Sequence, residues 1–430
     1  MRSSSYVQVA RRPMHRDARG LTLIEMLVAL VVASILSLAV FAVLSISEGR
    51  KRTTTAVNDT NQAGNYALYA IDKWVRSAGS GFVQSGLPPP EASAFAGSVM
   101  SYGCRIFAAR NNVDILPRGT GNPPPAPFAS VTTGVVGTFR LAPVLIAPGQ
   151  SAPGVSGVPS DVLIVMSGAG GYGEAPIPSR SFIDESGTAF AAANELNLST
   201  GVSLAVNDVV LIADQPGGSG VGPCMIQQVE SVSGGTIGIT NGTGYGKATI
   251  GSGANSATVT SYSTNAVAMN MGNIAGGNAP AFLLIGVGDN NTLFSYDLLQ
   301  TNATAAQNLQ AIADGVFELQ ALYGVDTDND GRVDSWQDPG DPASNYRMSE
   351  LMAGTPLAAQ RIAQIKALRV GLILRTSLPE REQVAPASLT MFSDLGAGLT
   401  YTRNLAAAER VFRYRVIEST IPLRNAMMVE

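Results

Sequence analysis

Residues 19–47 read RGLTLIEMLVALVVASILSLAVFAVLSIS, and the order of charges in this stretch decides how the rest of the chain is read. From Met26 to Ser47 no side chain is charged, a run of 22 residues. At about 1.5 Å per helical residue, such a run crosses a hydrocarbon core of about 30 Å. Arg2, Arg11, Arg12, Arg16 and Arg19 precede it, and basic flanks of this kind stay on the cytoplasmic side. A secretory signal places its small cleavage residues after the apolar stretch. Here the Arg19-Gly20 pair stands before it, and a single acid, Glu25, lies just inside. A carboxylate near the bilayer is costly and calls for a partner. Cutting after Gly20 would create one, a new amine on Leu21 with Glu25 at the fifth position of the processed chain.

The stretch GLTLIEMLVAL (20–30) resembles the class III signal of type IV pilins and type II secretion pseudopilins, usually written G-F-T-L-I-E. The resemblance implies that prepilin peptidase cuts between Gly20 and Leu21 and methylates the new amine. It also implies that Glu25 pairs with the amine of a neighbouring subunit during assembly. Leu21 departs from the phenylalanine commonest at that position. The leader, 1–20, is long for this class, and Met14 opens a shorter basic leader, MHRDARG, that ends at the same glycine. Met1 and Met14 both remain open as starts.

No proline follows before Pro88, so the helix is predicted to continue past the apolar run. Val57, Thr60, Gly64, Leu68, Ile71 and Val75 recur at three- and four-residue steps, with Ala67 and Trp74 widening the stripe. Asn58, Asp59, Asn65, Asp72, Lys73 and Arg76 mark the opposite face, and Gly79 and Gly81 stop the helix. The expected organisation is a leader at 1–20, an N-terminal helix at 21–78 (transmembrane over 21–47), and a periplasmic or extracellular β-rich globular domain at 79–430. Ala42 stands where major pilins often carry a proline, as in many minor subunits.

Composition narrows the chemistry. The chain has 430 residues, of which 45% are apolar and only 14% charged, with 46 glycines and 24 prolines, a balance that favours a loop-rich β body. Its net charge is −4, and the basic residues concentrate before Gly20, so the remainder is more acidic and no nucleic-acid partner is expected. The only histidine, His15, lies in the leader. Without it the chain has no Ser-His-Asp or Cys-His site and no histidine-ligated zinc, and no enzyme activity is expected. Cys104 and Cys224 form no CxxC motif. In an exported protein the expected arrangement is one disulfide closing a long loop, worth about 4 kcal/mol in the chain-entropy model.

Strands are predicted at 161–168, 207–214, 223–232, 281–288, 291–299, 366–376 and 409–421, with Asp289-Asn290 as a hairpin turn. The proline- and glycine-rich stretch from Ser80 to about Ser160 is expected as exposed loop, and 232–280 as thin surface hairpins. SGAGGYG (167–173) leads into no helical pattern, so a dinucleotide loop is not expected. The fold class is therefore α+β: a long N-terminal transmembrane and amphipathic helix packed on an antiparallel β-rich domain, as in pilins.

Residues 326–338, DTDNDGRVDSWQD, place Asp326, Asp328 and Asp330 at positions one, three and five of a calcium loop. Gly331 supplies the turn at six, the Arg332 carbonyl falls at seven and Asp334 at nine. Gln337 replaces the bidentate glutamate, so a standard EF-hand is not expected, although Asp338 follows one residue later. Ca2+ is the expected ion, and a solvated Asp/Asn/Gly turn is the alternative.

GVFELQALYGVDTDNDGRVDSW, KALRVGLILRTS and STIPLRN resemble the carboxyl-terminal pattern of PilW-like minor pilins over roughly 310–425. That resemblance implies a place in the set that primes type IV pilus assembly, at or near the tip. Its expected partners are other minor pilins, the major pilin, prepilin peptidase, the inner-membrane assembly platform and a large tip adhesin. The expected location is the inner membrane before assembly and the pilus surface afterwards. Two alternatives stay open: a J-type minor pseudopilin of type II secretion, and a tip adhesin.

Overall fold

The computed structural model describes residues 22–82, 101–118, 123–133, 139–151, 159–169, 176–179, 194–213, 222–253, 255–262, 266–300 and 309–427. The helix α1 runs Leu23–Ser77. The chain divides into two compact units, Met1–Ala56 and Val57–Glu430, so the second compact unit begins within α1 at Val57, not after its end. In the first unit every described residue up to Arg52 is exposed, including Leu23, Leu30, Leu38 and Phe41. In the second unit α1 buries Thr60, Gly64, Ala67, Ala70, Ile71 and Val75, the predicted face with Leu68 moved to its margin. Gly79, with φ +80°, ends the helix, and its N–H donates to the Met166 carbonyl at 2.9 Å. Asn425 Nδ2 donates to the Ala78 carbonyl at 2.9 Å, tying the far end of the chain to the helix terminus.

Among the described residues, three larger sheets and two small hairpins build the body. The first orders Val113–Leu116, Arg105–Arg110, Pro223–Ser233, Asp208–Ala213, Val267–Asn273 and Ile177–Pro178, with Thr236–Ile239 and Glu195–Asn197 attached beside Pro223–Ser233. The second orders Leu309–Ala313, Thr292–Asp297, Ala281–Gly288, Ser160–Ser167 and Val144–Ser151, antiparallel throughout. The third orders Ser335–Gln337, Val316–Val325, Ile365–Arg375 and Tyr414–Pro422, also antiparallel. Asn290 and Asn291 make the predicted Asp289-Asn290 turn with φ of 59° and 56°. Asparagine tolerates this left-handed region better than most residues.

Several expectations shift. The last strand starts at Tyr414 instead of 409, because Arg410 and Phe412 are held in turns by bonds to Ala406 and Glu409. The region expected as loop contains the strands Arg105–Arg110 and Val144–Ser151, whose Ile106, Phe107, Leu145 and Ile146 are buried. Within 232–280, Val267–Asn273 is a buried core strand, while Thr249–Ser252 and Asn255–Thr258 do form a small hairpin. Cys104 and Cys224 are joined in a disulfide with Cα atoms 5.6 Å apart. It reinforces the parallel pairing of Arg105–Arg110 with Pro223–Ser233, where Ile106 faces Cys224.

The second and third sheets are joined by side chains. Ser160 Oγ donates to the Leu319 carbonyl at 3.0 Å and accepts the Leu319 N–H at 2.8 Å. Asp161 accepts the N–H groups of Gly149 and Ala321, each at 3.0 Å. Tyr323 accepts the Ile146 N–H. On the edge of Val316–Val325 turned away from Ile365–Arg375, Ser335–Gln337 pairs only with Tyr323 to Val325, and ahead of that pairing side chains satisfy the backbone of Leu319 and the N–H of Ala321. On its outer face, the third sheet is covered by the hairpin Ser388–Met391 and Tyr401–Asn404 over Phe317, Leu322 and Ile373. Below that cover, buried Glu318 accepts a bond from the Tyr401 hydroxyl and pairs with Arg403 at 3.2 Å.

Candidate functional site

Two places carry the predicted chemistry, one in each unit. Gly20 and Leu21, the predicted processing residues, lie outside the described residues. Immediately after them, Thr22 and Glu25 open α1. Glu25 Oε2 accepts the Thr22 N–H at 3.2 Å and the Thr22 hydroxyl at 3.1 Å, and the Glu25 N–H donates to Thr22 Oγ1 at 3.3 Å. This is a reciprocal capping box, Thr-x-x-Glu, which satisfies donors that the first helical turn leaves open. The resemblance assigns Glu25 to assembly alone, but Thr22-Leu23-Ile24-Glu25 also carries the Thr-x-x-Glu signal of this box. Both side chains remain exposed, so Glu25 can still face a partner.

The acidic loop joins the strands Val316–Val325 and Ser335–Gln337, which are in register with Val325 opposite Ser335. It is therefore a hairpin loop, closed at its base by the Asp334 N–H on the Val325 carbonyl at 2.8 Å. Asp326 is wholly buried, and its N–H donates to the Gln364 carbonyl at 2.9 Å. Its carboxylate accepts the N–H of Asp330 at 3.2 Å and of Gly331 at 2.9 Å. Asn329 at φ 61° and Gly331 at φ 82° turn the backbone so that these amides point inward. The predicted turn at Gly331 is thus present.

The carboxylates of Asp326, Asp328 and Asp334 each bring one oxygen to within 4.8 Å of the others, a group able to hold a metal ion. Asp330 does not join that group, and its Oδ1 instead accepts the Arg332 N–H at 2.8 Å. Thr327, which the spacing of the acids does not single out, fixes Asp334. Its hydroxyl and N–H both donate to Asp334 Oδ2, at 2.6 and 2.7 Å, and hold that carboxyl below the usual carboxylate range. Asp338 turns away and accepts the Gly340 N–H at 2.7 Å. Three converging carboxylates suit a hard, oxygen-loving cation.

Comparison with known families gives two matches. Residues 284–425 match the family Type IV Pilus-assembly protein W, and residues 15–41 match the Prokaryotic N-terminal methylation motif. The first covers the third sheet and the acidic loop, and the second covers the end of the leader and the start of α1. No curated protein and no solved structure matches the chain.

Proposed function

We propose that this chain, a PilW-like type IV pilin, is cut between Gly20 and Leu21 and serves as a minor subunit that primes pilus assembly at or near the tip. One observation carries the reading: a methylation motif at 15–41 and a pilus-assembly match at 284–425 stand in the same chain. The exposed apolar segment of α1 supports residence in the inner membrane before assembly. The protein acts structurally, through contacts with other minor pilins, the major pilin and the assembly platform, and with a large tip adhesin above it. The 284–425 match favours this reading over a J-type pseudopilin of type II secretion.

The acidic loop adds a metal in this reading. Asp326, Asp328 and Asp334 hold Ca2+, with the Arg332 carbonyl completing the set, and the ion stiffens the hairpin at the edge of the third sheet.

The test is mass spectrometry of sheared filaments from the native host. Chain beginning at a methylated Leu21 should be found there, and Gly20→Ala should leave an unprocessed precursor in the membrane. Filament-borne protein that still carries residues 1–20, or a deletion strain with normal pili and impaired protein secretion, would defeat the proposal.

A further inference from the structure

Directly after the uncharged run that ends at Ser47, α1 carries Glu48, Arg50, Lys51 and Arg52. All four side chains are exposed. Among the described residues none of them is in an ion pair with another side chain of the chain. Successive residues of an α-helix are turned by about 100°, so Arg50, Lys51 and Arg52 together span about 200° of its circumference, more than one face. A groove on a protein partner engages one side of a helix. A lipid headgroup layer surrounds it, and that is the environment such a spread of cations fits. The depth also agrees, because the cluster starts about 5 Å along the axis beyond Ser47, where a hydrocarbon core gives way to headgroups.

We infer that Arg50, Lys51 and Arg52 form a collar that binds anionic phospholipid headgroups and sets the depth of the apolar segment in the bilayer. The inference rests on the membrane-anchor reading. Guanidinium and ammonium groups at this level donate to phosphate oxygens while their alkyl stems lie along the acyl boundary. Anionic lipid raises the local concentration of such segments, and salt weakens the effect. Glu48 subtracts one charge and leaves the segment clearly cationic. Once the leader with its five arginines is removed, this collar is the basic cluster that remains beside the apolar run.

The experiment uses the processed chain, Leu21 to Glu430, exchanging between neutral detergent micelles and vesicles of phosphatidylcholine, alone or mixed with phosphatidylglycerol. Wild type should partition on the order of 10- to 100-fold more strongly into the anionic vesicles at low salt, and high salt should close the gap. Arg50→Gln/Lys51→Gln/Arg52→Gln should lose that preference, whereas Lys73→Gln/Arg381→Gln, which removes equally exposed cations elsewhere, should keep it. Equal uptake of wild type by both vesicles, or an undiminished preference in the triple variant, overturns the collar alone. Failure of wild type to enter either vesicle overturns the anchor reading and the collar with it.

Discussion

Gly64 of α1 lies directly against Leu374 of the third sheet, so close that a Cβ at position 64 would overlap the Leu374 Cδ1 methyl. Leu374 is 1% exposed, and the helix can settle on the sheet here because residue 64 has no side chain.

Gly64→Ala sets two effects against each other. Alanine favours the helix by about 1 kcal/mol, while overpacking a filled core costs about 1–3 kcal/mol. Gly64→Val removes the ambiguity and should destabilise the body clearly. Leu374→Ala alone leaves a cavity and should cost about 2–5 kcal/mol. The double variant Gly64→Val/Leu374→Ala should be less damaged than the two losses added together, because each change relieves the other. Strict additivity in denaturant unfolding would show that the contact is not made.

Asp161 ties the second sheet to the third through the amides of Gly149 and Ala321, and no cation pairs with it among the described residues. Burial pushes its carboxyl up to about 7, with Asp338 and Glu318 adding like charge. The folded-state value lies above the unfolded value of 3.8, so the stabilisation it brings is complete below that value and is lost as pH climbs through about 7. Unfolding free energy should therefore fall across this window, at no more than about 1.4 kcal/mol per pH unit for this one group. Asp161→Asn should flatten the slope whatever its own stability. Some slope should survive, since burial also raises Glu318. An unchanged slope in the Asn variant would remove Asp161 as its source.

Much of this was legible in the sequence. The stripe Thr60, Gly64, Ile71 and Val75 announced the buried face of α1, because helical periodicity is local and a hydrophobic face must be covered. The strands Asp208–Ala213, Ala281–Gly288 and Ile365–Arg375 were visible as apolar runs between turn residues. Val144–Ser151 was hidden because its own Pro148 and Gly149 read as breakers, although Val144 to Ala147 are fully inside. The Ser160–Leu319 and Asp161–Ala321 bonds join residues about 160 positions apart, a relation that no local pattern encodes. In the acidic loop the spacing gave the turn and three of the acids. The inward pull of Asp326 and the outward turn of Asp330 depend on the hairpin's register, which the spacing does not carry.

That difference between the acids sorts their expected phenotypes. If the loop holds Ca2+, excess ion should raise the melting temperature of the unit Val57–Glu430, and an ion present at 100 times its dissociation constant stabilises by about 2.7 kcal/mol. Asp328→Ala should abolish the shift and leave metal-free stability nearly unchanged, since Asp328 is exposed. Asp326→Ala should also lower metal-free stability by about 1–3 kcal/mol, because the part-buried Gly331 N–H loses its acceptor. Asp330→Ala should weaken binding less than either. No thermal shift with excess Ca2+ would leave a plain hydrogen-bonded turn.

The last prediction separates two roles that converge on Glu25. As the closing residue of a capping box, three positions after Thr22, Glu25 accepts bonds from Thr22 and closes the first turn of α1. As the proposed assembly residue, it would offer a negative charge to the amine of another subunit. Glu25→Ala removes both roles, so its failure to assemble would not tell them apart. Glu25→Gln keeps the box, in which glutamine serves as well as glutamate, and removes the charge. Thr22→Ala does the reverse, breaking the box while retaining the carboxylate. All three should insert in the membrane, and Glu25→Ala more readily, since an isolated carboxylate is the costly group there. If the ion pair drives assembly, Glu25→Gln should accumulate in the inner membrane and vanish from sheared pili, while Thr22→Ala still enters them at reduced yield. The opposite pattern, with Gln assembling normally and Thr22→Ala failing, would assign Glu25 to the geometry of the helix start and discard the ion pair.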